Sequence, residues 1–124
     1  MPRTTVVIYQ ESDGSVPLLD WLGGLPEKTQ DKCIARIELL GERGFELRRP
    51  ACDYLDEGIY ELRIRAGHVQ CRILYGFVGQ NIVLLSHGCT KAGTVPRQEI
   101  RRAAENLGAY LVDPEGHTSR ESLR

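Results

Sequence analysis

Hydrophobic and polar positions alternate or recur at helical spacing over most of the chain, and they divide it into a short series of elements. Residues 4–10, "TTVVIYQ", are β-branched and aromatic and predict a first strand. "ESDGS" turns, and "VPLLDWLGGL" predicts a short helix with Ser15 as N-cap, Pro17 in its first turn and Gly23 and Gly24 at its end. "PEKTQDKCIARIELLGERG" predicts a longer helix. Its Cys33, Ile34, Ile37 and Leu40, with Leu39 alongside, form one apolar stripe, and Gly44 suits its C′ position. "FELRRPACDYLDEG" reads as a linker in which Pro50 opposes regular structure. Three strands are expected at about 59–65, 69–78 and 81–88, separated by the turn signals "AGH" and "GQ". After the loop "CTKAGTV", Pro96 opens a last helix with Ile100, Ala103, Ala104 and Leu107 toward the sheet. The expected order is β-α-α-β-β-β-α in one α+β domain over 1–111, followed by a polar, loosely held tail over 112–124.

Side chains alternate across a strand, so parity sorts the first hairpin into two faces. Tyr60, Leu62, Ile64, Val69, Cys71, Ile73 and Tyr75 fall on an apolar face, and Glu61, Arg63, Arg65, His68, Gln70 and Arg72 on a polar one. A two-residue turn at Ala66 and Gly67 sets Glu61 opposite Arg72. A turn at Gly79 and Gln80 then sets Arg72 opposite His87, giving a row of Glu61, Arg72 and His87. Leu74 and Leu85 pair further along that face, and Lys91 leaves its edge.

Composition changes this picture little. A chain of 124 residues with 41% hydrophobic and 27% charged residues is an ordinary globular domain. No apolar run approaches the ~20 residues that span a bilayer, and "MPRTTVVIYQ" lacks the apolar core of a signal peptide, so the expected location is the cytoplasm. Cys33, Cys52, Cys71 and Cys89 form no CxxC pair and fall on different elements, which fits reduced, buried thiols rather than a zinc site or disulfide framework.

Charge changes it more. The chain carries a net −1, but the span from Ile59 to Ala104 holds seven Lys or Arg against Glu61 and Glu99, a local +5. Arginine forks match phosphate oxygens, and several on one face can hold a bent phosphodiester. Attack of a ribose 2′-OH on its own phosphate needs charge stabilisation and a group that moves protons. Arg63, Arg65, Arg72 and Lys91 are the candidates for the first task and His87 for the second. Arg97 and Arg101 on the last helix are candidate RNA-backbone contacts. A solvated face and a simple Glu61–Arg72 cross-strand pair explain the same charges without chemistry.

"PEKTQDKCIARIELLGERG", "DYLDEGIYELRIR", "RILY", "HGCTK" and "VPRQEIRRA", in that order, resemble the RelE/ParE superfamily of type II toxin–antitoxin toxins, and within it the phage-derived, HigB-like branch. The similarity runs from about Trp21 to His117. It implies a RelE-like α+β fold, with two N-terminal helices packed on a twisted antiparallel sheet and a C-terminal helix. It further implies that the concave sheet binds mRNA in the ribosomal A site and cleaves it, as a metal-independent endoribonuclease without cofactor. Arg72 matches the family's central sheet arginine, Arg63 and Arg65 its basic positions on the preceding strand, and Lys91 a basic position after the last strand. His87 and His117 lie in family-like motifs. The implied partners are a helix-turn-helix antitoxin, the ribosome and mRNA, with a homodimer when antitoxin is absent. One departure is Cys71, where the branch usually has an aromatic residue; another is the weakly charged loop "TKAGTVP". The same fold admits two other functions: ParE-like inhibition of DNA gyrase, and a non-catalytic antitoxin-binding module.

Overall fold

The computed structural model describes residues 3–123, so positions 1, 2 and 124 of the expected domain and tail lie outside the described residues. The elements are β1 (Thr5–Ile8), α1 (Pro17–Gly23), α2 (Glu27–Arg43), β2 (Cys52–Asp56), β3 (Ile59–Ala66), β4 (Val69–Val78), β5 (Ile82–Thr90) and α3 (Arg97–Val112), with short 3-10 turns at Gly44–Glu46 and Glu115–His117. The five strands form one sheet in the order β1-β5-β4-β3-β2. Helices α1 and α2 cover one face and α3 the other, so the α+β architecture with two N-terminal helices and a C-terminal helix stands as expected.

Two features of the sheet differ from expectation. The segment taken as a linker contains β2, which begins two residues after Pro50 and pairs antiparallel with β3 through Cys52↔Leu62 to Tyr54↔Tyr60. Pro50 excludes only its own position, and "CDYLD" beyond it alternates buried Cys52 with outward Asp53. The sheet is also mixed rather than wholly antiparallel: β1 runs parallel to β5 from Thr5↔Ile82 to Ile8↔Leu85. The helical hairpin carries the chain from β1 across the sheet to its opposite edge, and the remaining strands fold back by antiparallel neighbours until β5 reaches β1.

The apolar stripe of α2 sits as predicted. Cys33, Ile34, Ile37 and Leu40 are buried against Leu62, Ile64, Cys71, Ile73 and Tyr75. Val16, not Ser15, occupies the N-cap position of α1, because Ser15 is already bonded to Asp13 in the preceding turn. Trp21 of α1 packs directly over Gly88 of β5, where a Cβ would collide with the indole. Its Nε1 donates to Thr90 Oγ1 at 3.2 Å.

Both hairpin registers differ from the sequence reading. The β3–β4 turn is Gly67–His68, with Gly67 in the left-handed region that favours glycine, so Ala66 pairs with Val69 and Arg63 with Arg72. This slip of two residues leaves every side chain on its expected face. The β4–β5 connection has three residues, Gly79 to Asn81, and a bulge at Ser86 follows. The third connecting residue sends Leu85 to the α1–α2 side, opposite Tyr75, and the bulge at Ser86 returns His87 to the α3 side, opposite Leu74 rather than Arg72. The expected pairs Leu74–Leu85 and Arg72–His87 are therefore replaced.

The last helix runs five residues beyond Leu107 to Val112 and buries Asn106 and Tyr110 as well as Ile100 and Ala103. The segment after it is tied down rather than loose. Gln10 N–H donates to His117 C=O at 3.0 Å, Ser119 N–H to Ile8 C=O at 2.8 Å, and the His117 ring stacks on Tyr9 with centroids 5.2 Å apart.

Candidate functional site

The α3-facing side of the sheet carries three cross-strand rows. Glu61, Leu74 and His87 form the first; Arg63, Arg72 and Cys89 the second; and Arg65 pairs with Gln70 in the third, where Lys91 N–H donates to Gln70 C=O at 3.2 Å. Helix α3 covers the first row, packing Ile100 and Ala103 on Leu74 and Ile59. The two arginine-bearing rows extend past the helix. Local pattern explains this division: apolar residues run along β4 from Ile73 onward, and α3 docks where they do.

Arg72 is the centre of this region and is only 8% exposed. Its Nη1 lies 3.0 Å from Glu61 Oε1, and its Nη2 donates to Gln70 Oε1 at 3.0 Å and to Gly93 C=O at 2.7 Å. The last bond pins the loop 91–96 over the sheet. Arg63, half-buried, donates from Nη2 to both Glu61 Oε2 at 3.2 Å and Asp53 Oδ2 at 3.3 Å, while its buried Nε has no hydrogen-bond partner among the described residues. Glu61 is 97% buried between the two guanidinium groups, and its Oε1 makes the Arg72 ion pair without hydrogen-bond geometry. Asp53 also binds Arg49 at 3.0 Å. Desolvation pulls the Asp53 carboxyl upward, but Arg49, the Tyr54 N–H and Arg63 outweigh it and hold it below the usual carboxylate range. Arg65 and Lys91 are exposed, Arg65 donating from Nε to Gly67 C=O at 3.2 Å.

These side chains open on a cleft of about 530 Å³ lined by Arg63, Arg65, Gln70 and Arg72 together with Pro50 and Arg36. Arg36 is a member the sequence did not reveal. It comes from α2, on the flank of the apolar stripe, and donates from Nη1 to Arg63 C=O at 2.9 Å. Glu61 was visible only as a pairing partner, because its burial between two arginines is a tertiary result. Of the predicted residues, Arg63, Arg65 and Arg72 are brought together at the cleft, and the backbone of Lys91 is bonded to Gln70, one of its lining residues.

His87 is not brought there. It is 1% exposed beneath α3, with Nδ1 2.8 Å from Ser86 Oγ and Nε2 3.1 Å from Glu99 Oε1. Asn106 of α3 donates to the same Ser86 hydroxyl at 2.9 Å. Desolvation, joined by the charge of Arg102, lowers the imidazole below its ordinary value against the opposing pull of Glu99. Arg97 is paired with Asp56 at 2.6 Å and Glu57 at 3.6 Å. With Arg101 it lines a separate, shallow depression on the outer side of α3. His117 is occupied by Tyr9 and by Gln10 C=O, 2.8 Å from its Nδ1. The four cysteines are buried on four different elements, and burial pushes the Cys33 thiol up to about 12 and Cys89 to about 11. Among the described residues no three His, Cys, Asp or Glu side chains group as a possible metal site, and no helix is long and apolar enough to cross a membrane.

Helix α3 and the loop 91–96 cover part of one sheet face and leave an arginine cleft beside them. The family model described as "Phage derived protein Gp49-like (DUF891)" matches residues 20–108, and the chain belongs to that family, which is associated with toxin–antitoxin toxins. The match spans from α1 through most of α3 and contains every residue lining the cleft. No curated protein was found to match the chain.

Proposed function

We propose that this chain is the toxin of a type II toxin–antitoxin pair of the HigB-like kind, acting in the cytoplasm as a metal-independent endoribonuclease on mRNA held in the ribosome. The observation that carries this reading is the cleft itself: guanidinium groups from two adjacent strands converge around one buried carboxylate, on the part of the sheet that α3 leaves uncovered. A scissile phosphate entering the cleft takes Arg63 and Arg65 as forked donors and meets the fixed charge of Arg72 behind them. As Arg63 turns to the phosphate it releases Glu61 Oε2. The 2′-OH then gives its proton to that oxygen and attacks phosphorus, and the P–O5′ bond breaks. Lys91 returns a proton to the leaving 5′-oxygen, so the products are a 2′,3′-cyclic phosphate and a 5′-hydroxyl.

In this scheme Glu61 moves the proton, and His87 acts as a positioning residue that holds α3 to β5. A helix-turn-helix antitoxin is the proposed neutralising partner. A second reading, a binding module without activity, is favoured by the ion pairs that already occupy Arg63 and Arg72. Cleavage on programmed ribosomes separates them. The wild type cuts A-site codons and Arg72→Lys, which keeps the charge but loses the fork, does not. A folded wild type that leaves the message intact removes the nuclease reading and turns the question to gyrase inhibition or to binding alone.

A further inference from the structure

We propose that a single RNA strand bound at the arginine cleft continues round the open edge of β3, beside the start of β2, onto the α2 side of the sheet, where Arg36 and Lys32 hold backbone phosphates. This inference rests on the RNA-binding reading above and extends its site to residues that neither the sequence nor the family match assigns.

The open edge follows from where β2 begins. Its first pair with β3 is Cys52↔Leu62, and the outermost bond across that edge runs from Arg63 N–H to Ala51 C=O at 2.8 Å, one residue after Pro50. Hydrogen-bonding direction alternates along a strand, so the N–H and C=O of Arg65, two residues beyond Arg63, point to the same vacated side. β2 is the outermost strand, so beyond Ala51 the edge of β3 at Arg65 has no neighbouring strand among the described residues and lies open. Round it the two faces meet: the cleft is walled by Arg63, Arg65 and Arg72 from the α3 side and by Ile64, Cys71 and Arg36 from the α2 side.

A second groove, about 480 Å³, continues from there along α2 and shares Arg36, Ile64 and Arg65 with the first while adding Lys32, Ala35 and Leu39. Among the described residues no carboxylate lines either depression, Glu61 lying buried behind Arg63 until that side chain turns away. Arg36 donates to the Arg63 carbonyl and Arg65 to the Gly67 carbonyl, and among the described residues neither forms a salt bridge, unlike Arg63 and Arg72. Successive phosphates of one strand match successive cations along this path, and Ala35, Leu39 and Ile64 give sugars and bases an apolar floor without reading sequence.

The test is a ¹H–¹⁵N NMR titration of the full chain with an eight-nucleotide oligouridylate at low salt. Shifts are expected at residues 63–72 and also at 32–39, including the Arg36 and Arg65 side-chain Nε–H signals. Lys32→Gln and Arg36→Gln each weaken binding severalfold and flatten the slope of log K against log salt by roughly 0.7, the value for one phosphate of a single strand. Arg120→Gln, in the exposed tail, leaves both unchanged. Lys32 is exposed on α2, so its variant keeps the test valid if Arg36→Gln disturbs β3. Shifts confined to 63–72, shifts only on α3, no shifts, or unaltered slopes in both variants overturn the inference. Shifts confined to 63–72 with cleavage intact overturn the track alone; binding along the track without cleavage overturns the nuclease reading alone.

Discussion

Glu61 sits 97% buried with Arg72 on one oxygen and Arg63 on the other, and this arrangement sets the consequences of changing any of the three. Removing one partner of a buried ion pair strands the other charge, so Arg72→Ala is expected to cost about 3–5 kcal/mol and to lower the melting temperature visibly. Arg72→Lys restores most of that stability without restoring cleavage, which on the proposed scheme falls at least about a hundredfold, as for loss of one preorganised donor. Equal loss of stability in both variants would mean that Arg72 serves packing through its guanidinium rather than charge. The cysteines are expected to be chemically silent. With Cys33 pushed up to about 12 and Cys89 to about 11, and all four buried, a disulfide reagent should titrate no thiol of the native chain at neutral pH and all four after denaturation. Rapid native labelling of any of them contradicts the packing described.

Between elements, the tie that matters most is the polar chain from Asn106 through Ser86 and His87 to Glu99, which fastens α3 to the bulge of β5. Burial lowers the His87 imidazole in the folded state, so the unfolded chain binds the extra proton first. Its contribution is therefore fully present above about pH 6.5, the ordinary imidazole value, and is lost as pH falls below that toward the folded-state value. Melting temperatures measured from pH 8 to pH 5 should decline in the lower part of this range, and His87→Gln should decline less steeply. On the opposite face, Gly88→Ala drives a methyl into Trp21 and is expected to destabilise by about 1–3 kcal/mol by chemical denaturation. Much of this level was legible in the sequence and some was not. Parity along β3 and β4 assigned the faces correctly even with the turn misplaced by one residue, because that shifts the pairing by two and preserves alternation. One extra residue in the β4–β5 connection and another at Ser86 have no signature in the sequence, yet together they moved His87 away from Arg72. Pro50 masked β2, and Arg36 reaches the cleft from a helix 27 positions before its partner Arg63, a contact no local pattern encodes.

At the scale of the whole molecule, chain ends and charge distribution decide behaviour. The segment after α3 closes on β1 through two backbone hydrogen bonds and the His117–Tyr9 stack. Truncation after Val112 should thus lower stability by about 2 kcal/mol, seen as a reduced denaturation midpoint, while leaving the cleft intact. An unchanged midpoint would contradict that closure. The net charge of −1 conceals a local +5 between Ile59 and Ala104 against −6 on the rest of the chain, which on the proposed reading suits a protein that meets RNA on a surface already positioned for it rather than one that gathers free RNA. The most direct measurement of the central claim is cleavage of mRNA on programmed ribosomes by the purified chain, beside Arg72→Lys shown by its melting curve to be folded. Cuts at A-site codons bearing 2′,3′-cyclic phosphate ends, present for the wild type and lost in the variant, are the predicted result. An intact message with the folded wild type, or equal cutting by both proteins, would contradict it.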